Sequence, residues 1–364
     1  MKIDLNAIDQ TQFMMHPHVA YGETLYLVQP QHIGCKWNQA NKHLRSSLWN
    51  EMGVLISAGM PKFTNWGENP DNFPVPKSLK DCHVVEKVDG SLLIVTKYKG
   101  QFILRTRGTV DAHKLDNGHE LEIFERDYLP KLKLDGLDTV NKSYLFEWVS
   151  PEQRIILNYG DQPEWFLVGA VYHDNYTLET QEDLNRIAEA CGLKRPVSYD
   201  FPSVEDLMKN VEAWKGKEGV VIYDASGQNL WKAKSLWYLN LHRMKESLAS
   251  IDKVIDVWFI QGRPPYSEFE QFITSQFDWE LWTQVRPDVS KICDAWKQVE
   301  QIQAGMRGFV QNTLLLLPSR REQALKVIAS YGQSGRSSMV FSLLDGKSLT
   351  DDQEKKLLYQ CLKS

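Results

Sequence analysis

The sequence predicts an α+β fold, with a core of antiparallel sheets and flanking helices followed by an all-α C-terminal domain. Two observations predict it. From about residue 45 to 240, short β-type segments bounded by Gly, Asn and Pro dominate the chain. After about residue 235, apolar residues recur at helical spacing. A run of strands followed by a run of helices is typical of an α+β core with a separate helical domain. We therefore expect domains at residues 1–242 and 243–364.

Turn signals and alternation locate the elements of the first domain. SLLIVTKY (91–98), a Lys-Gly turn and QFILRTRG (101–108) predict a hairpin, and EGVVIYD, the turn ASGQ and NLWKAK predict a second one. Between them YLFEWV, RIILNY and EWFLVGAVYH predict three more strands. Helices are predicted at about 180–191 and after Ser203, which has Asp206 three residues on in a capping-box arrangement.

The helical part of the chain has no excess of positive charge. Its predicted helices are LWYLNLHRMKESLASI, FEQFITSQFDWELWTQV, VSKICDAWKQVEQI, REQALKVIASY and DDQEKKLLYQCL. From Ile251 onward there are 14 Lys+Arg against 14 Asp+Glu, so the net charge of −5 lies in the first 250 residues and the tail is not a polybasic arm. We expect its aromatic residues Trp279, Trp282 and Trp296 to pack in the core rather than stack on bases.

The composition is that of an ordinary soluble globular protein. Of its 364 residues, 42% are hydrophobic and 24% are charged, which excludes a globally basic nucleic-acid coat but allows a local cationic cleft. Five scattered cysteines without a CxxC pair suggest neither a disulfide framework nor a zinc cluster. The N-terminus has no apolar core of signal-peptide length, and no stretch is long enough to cross a bilayer. We therefore expect a cytoplasmic protein without membrane association, and a monomer.

Lysines and embedded carboxylates indicate a phosphate site. Lys232 and Lys234 alternate on one strand and so share a face, where they could hold a phosphate and repel a proton from a third amine, Lys87 in EKVDGS. A lysine attacks phosphorus only as the neutral amine, so such a lowered pKa would prepare it. Glu147 and Glu218 lie in apolar strands, where an unpaired charge is costly. Together these residues predict a site for a nucleotide phosphate with Mg²⁺.

Five motifs then carry a resemblance. KVDGS (87–91), LFEWVSP (145–151), EGVVIY (218–223) and WKAKSLWY (231–238) have the order and spacing of the covalent nucleotidyltransferase superfamily of ATP-dependent ligases and mRNA capping enzymes. KFTNWGENP (62–70) resembles the T-even bacteriophage RNA ligase 1 family, which repairs tRNA. The resemblance covers roughly residues 45 to 242. It implies an ATP-grasp-like nucleotidyltransferase core at 1–242, and a helical domain at 243–364 that recognises RNA.

The resemblance implies a catalytic role for three lysines and a metal-binding role for one glutamate. Lys87 would attack the α-phosphate of ATP and carry AMP covalently, while Lys232 and Lys234 would hold that phosphate. Glu218 would help bind Mg²⁺, for which Mn²⁺ could substitute.

Further residues of the implied nucleotide site match the family's motifs. Asp89 and Gly90 would shape the turn that aims Lys87, and Glu147 would lie near the ribose hydroxyls. Cofactor-binding roles are also implied for Arg45, Lys62, Glu86 and Arg107. Where the family has Arg-Gly, this chain has Arg45-Ser46, which weakens the match at that position.

The implied activity is ATP-dependent joining of RNA 5′-phosphate and 3′-hydroxyl ends through lysyl-AMP and an adenylylated RNA end, with a nicked tRNA as one candidate substrate. A phage-infected or bacterial cell is the expected setting. RNA would approach along a basic strip that includes Arg105 and Arg107. A DNA ligase or capping enzyme is an alternative, although it would carry an OB-type barrel after Lys234. A catalytically silent RNA-end-binding module and a protein AMP-transferase stay open as well.

Overall fold

The computed structural model describes residues 1–31, 34–133, 141–246, 248, 250–276 and 279–363. The chain divides into two compact units, Met1–Asn240 and Leu241–Ser364. The first unit contains three sheets with helices, and the second is helical across its described residues, so the predicted α+β class with a helical C-terminal region is confirmed. The roles assigned to domains 1–242 and 243–364 stay predictions.

Thirteen strands are described in the first unit. They are β1 Phe13–Ala20, β2 Glu23–Pro30, β3 Ser47–Asn50, β4 Leu55–Ala58, β5 Thr64–Asn65, β6 His83–Lys87, β7 Ser91–Tyr98, β8 Gln101–Arg105, β9 Lys142–Val149, β10 Glu164–Tyr172, β11 Ser198–Tyr199, β12 Gly219–Tyr223 and β13 Leu230–Lys234. The first sheet has the order β1-β2-β3-β4, the second β10-β9-β7-β8, and the third β11-β6-β12-β13-β5. β5 pairs in parallel with β13, whereas the neighbouring pairs β6–β12 and β12–β13 are antiparallel.

Ten α-helices are described. They are α1 Leu121–Asp127, α2 Gln181–Cys191, α3 Val204–Ala213, α4 Leu236–Glu246, α5 Ile251–Ile260, α6 Tyr266–Gln276, α7 Trp279–Asn312, α8 Arg320–Tyr331, α9 Ser337–Leu344 and α10 Asp351–Leu362. Helix α4 begins two residues after Lys234, as predicted. None of the described helices is both long enough and apolar enough to cross a membrane.

Most predicted elements are confirmed where local signals are strong. Both hairpins form, as β7–β8 and β12–β13. Ser203 caps α3 by accepting a hydrogen bond from the amide of Asp206, because its hydroxyl satisfies an amide that has no partner in the first turn. Trp282 is fully buried and Trp296 packs against the same core, while the side chain of Trp279 lies outside the described residues.

Other elements differ from the prediction. The predicted strand RIILNY is a loop, because the amides of Ile156 and Leu157 bond to the carboxylate of Asp89 rather than to a neighbouring strand. The hairpin β1–β2 was not predicted: β1 contains Pro17, which cannot donate to a ladder and is tolerated on this edge strand. The helices α1, α5 and α9 were also not predicted. The pattern FEQFITSQFDWELWTQV falls on both α6 and α7, and residues 277–278 between them lie outside the described residues.

One hydrophobic cluster takes side chains from all three sheets. Trp49 of the first sheet, Leu145 of the second and Tyr223 of the third belong to it, and each is at most 2% exposed. Burial of such large apolar side chains is the main force that holds sheets together. This shared core fixes the three sheets relative to one another within the first unit.

Candidate active site

Three residues form a row across the third sheet. Gly219, the first residue of β12, lies opposite Lys87, the last residue of β6, and also opposite Lys234, the last residue of β13. Residues directly opposite each other in a sheet project to the same face. The row therefore places the side chains of Lys87 and Lys234 on the same face of the sheet, on either side of a residue without a side chain.

A single buried carboxylate binds both lysines. Glu218 is 2% exposed; its Oε2 accepts a hydrogen bond from Nζ of Lys87 at 3.0 Å, and its Oε1 is 2.8 Å from Nζ of Lys234. A buried carboxylate is stable only when it is paired in this way. The arrangement brings the ends of three strands together around one charged group.

Two glycines allow backbone segments around the site to approach one another closely. Gly219 has φ +152°, and a Cβ there would lie 2.0 Å from the carbonyl oxygen of Ala233. A Cβ on Gly90 would lie 2.5 Å from the carbonyl oxygen of Trp148. Any side chain would push these strands apart, so both positions require glycine.

The charge state of Lys87 differs from the prediction. Burial alone would lower its pKa, but Glu218, together with Glu147 and Asp89, outweighs burial and raises the pKa of Lys87. The expectation of a lowered pKa at Lys87 is therefore wrong for this structure, because the carboxylates around Lys87 outweigh burial. The side chain is therefore an ammonium group held by its carboxylate.

Two other groups of the cluster have shifted pKa values. Burial, followed by the charges of Lys234 and Lys87, lowers the pKa of Lys232 to about 8. Burial raises the pKa of Glu147 to about 7, against the opposing attraction of Lys87. Shifts of this size are common where charged groups are gathered for chemistry, although structural ion pairs cause them too.

One aromatic ring contacts both Arg45 and Lys232. The ring centroid of Phe63 is 5.4 Å from the guanidinium carbon of Arg45 and 5.6 Å from Nζ of Lys232. Nζ of Lys62 lies 5.7 Å from the ring centroid of Trp37. Burial, and then the charge of Arg107, lowers the pKa of Arg45 to about 10. The structure thus gathers excess positive charge on this side, which suits a polyphosphate.

Asp89 holds the loop around Lys87. Its Oδ2 accepts hydrogen bonds from the amides of Ile156 and Leu157, both at 2.8 Å, and its Oδ1 accepts one from the hydroxyl of Tyr238 at 2.6 Å. Its own amide donates to the hydroxyl of Tyr159 at 2.9 Å. The carboxylate is therefore engaged in fixing the backbone that follows Lys87.

Two predicted residues lie elsewhere. Glu86 precedes Lys87 and so projects to the opposite face of the sheet, where its Oε2 accepts a hydrogen bond from Tyr199 at 2.6 Å. The structure does not bring Glu86 together with the lysine cluster. Arg105 is 0% exposed, so the prediction that it contacts RNA is wrong, because a fully buried guanidinium cannot reach an RNA strand. Arg107 is exposed, so its contact with RNA stays a prediction.

The remaining predicted residues of the site are neighbours of one another. Charge interactions connect the members of this cluster, which are Arg45, Lys62, Lys87, Arg107, Glu147, Glu218, Lys232 and Lys234.

The donor set fits a metal that is held mostly by other ligands. No group of three or more His, Cys, Asp or Glu side chains suited to a metal occurs in the described part of the chain. Mg²⁺ commonly takes one or two protein carboxylates and completes its shell with water and substrate phosphates. Glu218 and Glu147 are the carboxylates of the lysine cluster, and because both oxygens of Glu218 are paired with Lys87 and Lys234, a metal could bind Glu218 only in exchange for a lysine contact.

Sequence reasoning missed three supporting residues. Phe63, Tyr159 and Tyr238 contact the predicted site residues directly. Phe63 and Tyr238 lie within the motifs KFTNWGENP and WKAKSLWY, so their proximity to motif lysines was a usable signal. No sequence signal indicated Tyr159, because its segment was expected to be a strand.

Sequence comparison finds similarity to a viral protein. No protein-family model matches the chain. Over 211 residues the chain is 32% identical to a putative bifunctional polynucleotide kinase/RNA ligase of Autographa californica nuclear polyhedrosis virus, an alignment that covers 52% of this chain and 29% of the viral protein. The chain thus spans less than a third of that relative.

Solved RNA ligases show weaker similarity. An archaeal ATP-dependent RNA ligase has 13% identity and a TM-score of 0.44, with 92% of this chain and 93% of that chain covered. A mutant of the Naegleria gruberi RNA ligase with ATP and Mn has 15% identity and a TM-score of 0.34, with 44% and 51% covered. Similarity at this level says nothing about activity or site residues.

Proposed function

We propose that this protein is an ATP-dependent RNA ligase that joins 5′-phosphate and 3′-hydroxyl ends through a lysyl-AMP intermediate. The observation that carries the proposal is the pairing of Lys87 and Lys234 with the two oxygens of the buried Glu218. Similarity to the viral kinase/ligase supports it, as does the order of the motifs. Because the chain spans 29% of that relative, the proposal does not extend to kinase activity.

In the first step, Nζ of Lys87 attacks the α-phosphorus of ATP, a P–N bond forms and pyrophosphate leaves. Lys87 must first lose a proton, and Oε2 of Glu218 at 3.0 Å is within range to accept it. Lys232 and Lys234 offset the charge that develops on the α-phosphate, while Arg45 and Lys62 hold the leaving pyrophosphate. A divalent metal would supply Lewis-acid stabilisation of the phosphate charge, and Glu218 would hold it once that carboxylate has passed the proton on.

The next steps use the stored AMP. The 5′-phosphate of an RNA end attacks the lysyl-AMP phosphorus and releases Lys87, which gives an adenylylated end. The 3′-hydroxyl of the other end then attacks that activated phosphate and AMP leaves. Lys232 and Lys234 serve in each step because each transition state gathers charge on a phosphate. Repair of a nicked tRNA in a phage-infected or bacterial cell is the setting that the family resemblance favours.

Label transfer tests the proposal. Wild type, Lys87→Ala and the control Lys97→Ala are incubated with α-phosphate-labelled ATP and Mg²⁺, and label on the denatured protein is measured. We expect acid-labile label on wild type and Lys97→Ala but none on Lys87→Ala. Lys97 lies on β7, where its Nζ is over the ring of Phe102, so the control removes a lysine outside the cluster. The proposal fails if wild type takes no label even after pyrophosphate has removed any bound AMP.

A further inference from the structure

Arg105 is a fully buried guanidinium with a complete set of partners. Its Nε donates to Oγ of Ser57 at 2.8 Å, and its Nη2 donates to the carbonyl oxygens of Ser57 at 2.9 Å and Ser46 at 3.1 Å. Its Nη1 donates to Oγ of Ser46 at 3.0 Å and to the carbonyl oxygen of Thr106 at 3.2 Å. All five bonds go to hydroxyl or carbonyl oxygens. Removing a guanidinium from water costs free energy, so the buried position of Arg105 indicates a structural or functional role.

Ser46 extends this contact to Arg107. Its hydroxyl accepts the bond from Arg105 and donates to the carbonyl oxygen of Arg107 at 3.2 Å. Strand β8 ends at Arg105, so ladder pairing does not hold the backbone of Arg107. Instead, the carbonyl groups of Thr106 and Arg107 are held by Arg105 and Ser46 respectively. Ser46 is also the residue that follows Arg45 in the chain.

Arg45 and Arg107 repel each other. The charge of Arg107 contributes to the lowered pKa of Arg45, second only to burial. Two like charges keep a fixed separation only if their backbones are held. The carbonyl oxygen of Ser46 also accepts the amide of Gly59 at 2.8 Å, which anchors the Arg45 side of the arrangement.

We propose that Ser46 and Arg105 are a positioning pair, which sets the spacing of Arg45 and Arg107 so that both bind the pyrophosphate part of ATP. The inference deepens the proposed ligase function and rests on it. Arg105 acts through the backbones of Ser46, Thr106 and Arg107 and does not touch the nucleotide itself.

The test separates the pyrophosphate step from the RNA step in the full-length protein. Lysyl-AMP is formed first, and the KM for pyrophosphate in the reverse reaction is measured beside the rate of AMP transfer to a 5′-phosphorylated RNA. Ser46→Ala should raise the KM for pyrophosphate about tenfold, the loss expected for one hydrogen bond. The rate of AMP transfer to RNA should change less than this KM, because pyrophosphate takes no part in that step.

Two further variants make the result specific. Ser57→Ala also removes a hydroxyl bonded to Arg105, but one that has no bond to Arg107, and it should leave the KM for pyrophosphate unchanged. Arg107 is exposed, so Arg107→Ala should fold. When Ser46→Ala is added to Arg107→Ala, it should have no further effect on the KM for pyrophosphate.

Three outcomes would overturn the positioning pair: an equal effect of Ser57→Ala, a full effect of Ser46→Ala without Arg107, or an equal slowing of AMP transfer to RNA by Ser46→Ala. Failure of wild type to form lysyl-AMP would instead overturn the proposed function, so the two failures are distinguishable.

Discussion

At the residue scale, the cluster contains two carboxylates among six cations. Glu218 satisfies Lys87 and Lys234, while the pKa of Lys232 is lowered to about 8 by burial and by those two lysines. Glu147 and Glu218 cannot balance the six cations of the cluster. The net positive charge that results has its natural complement in the phosphates of a nucleotide.

His43 makes stability depend on pH. Its ring centroid lies 6.2 Å from that of Trp49 and 5.6 Å from that of Tyr176, and burial lowers the pKa of His43 to about 4 from 6.5. Between pH 6.5 and 4, His43 is protonated in the unfolded chain but neutral in the folded chain. The free energy of unfolding therefore decreases as the pH falls through this range. We expect a loss of about 2 kcal/mol across this window, after allowance for partial exposure.

Urea unfolding between pH 4 and 7 measures this effect. His43→Phe keeps an aromatic ring and should flatten the profile, whereas the control His119→Phe, at a side chain that is 60% exposed, should not. Identical profiles for wild type and His43→Phe would show that His43 is not the titrating group.

At the scale of elements, the start of β12 determines the site. Gly219 lets β12 approach β13 closely enough for Glu218 to contact lysines from both neighbouring strands. In Gly219→Ala, the new Cβ would meet backbone at 2.0 Å, so the strand must shift. We expect a loss of lysyl-AMP formation together with a lower free energy of unfolding.

Gly216→Ala is the matched control for this variant. Gly216 has φ +71° and open space around its Cβ position, so alanine there should cost only about 1 kcal/mol of strain. Labelling should then stay near wild type. If Gly219→Ala labels as well as Gly216→Ala, the close approach of β12 is not what positions Glu218.

At the scale of the whole molecule, two compact units suggest separable steps. Unit Met1–Asn240 contains the whole lysine cluster, and residues from Ile251 onward are neutral overall. We predict that a chain ending after residue 250, which keeps α4 complete, still forms lysyl-AMP but joins RNA ends at least tenfold more slowly, the loss that about 1.4 kcal/mol of RNA binding would cause.

Lysyl-AMP formation and RNA end joining are measured in the full and shortened chains. The shortened chain with Lys87→Ala is the negative control. Equal end joining by both chains would rule out a recognition role for the helical region. Loss of labelling in the shortened chain, with a cooperative unfolding transition retained, would place part of the nucleotide site beyond residue 250.

The sequence by itself determined the fold class and the membership of the lysine cluster. Alternation along β13 already placed Lys232 and Lys234 on one face, and turn signals located both hairpins, because these are local properties of the chain. The N-cap at Ser203 was equally local. The hairpin β1–β2 is local, but Pro17 interrupts its strand pattern. The loop RIILNY could not be predicted, since the amide of Ile156 bonds to Asp89, 67 residues away in the chain.

Only the tertiary structure decided how each charged group is used. It paired Glu218 with Lys87 across 131 residues and so raised the pKa of Lys87, where the sequence had suggested the opposite. It buried Arg105 against Ser46 and Ser57, and it paired Glu86 with Tyr199, 113 residues away in the chain. Burial and the identity of distant neighbours set the ionisation and reach of a side chain, and neither is encoded in local spacing.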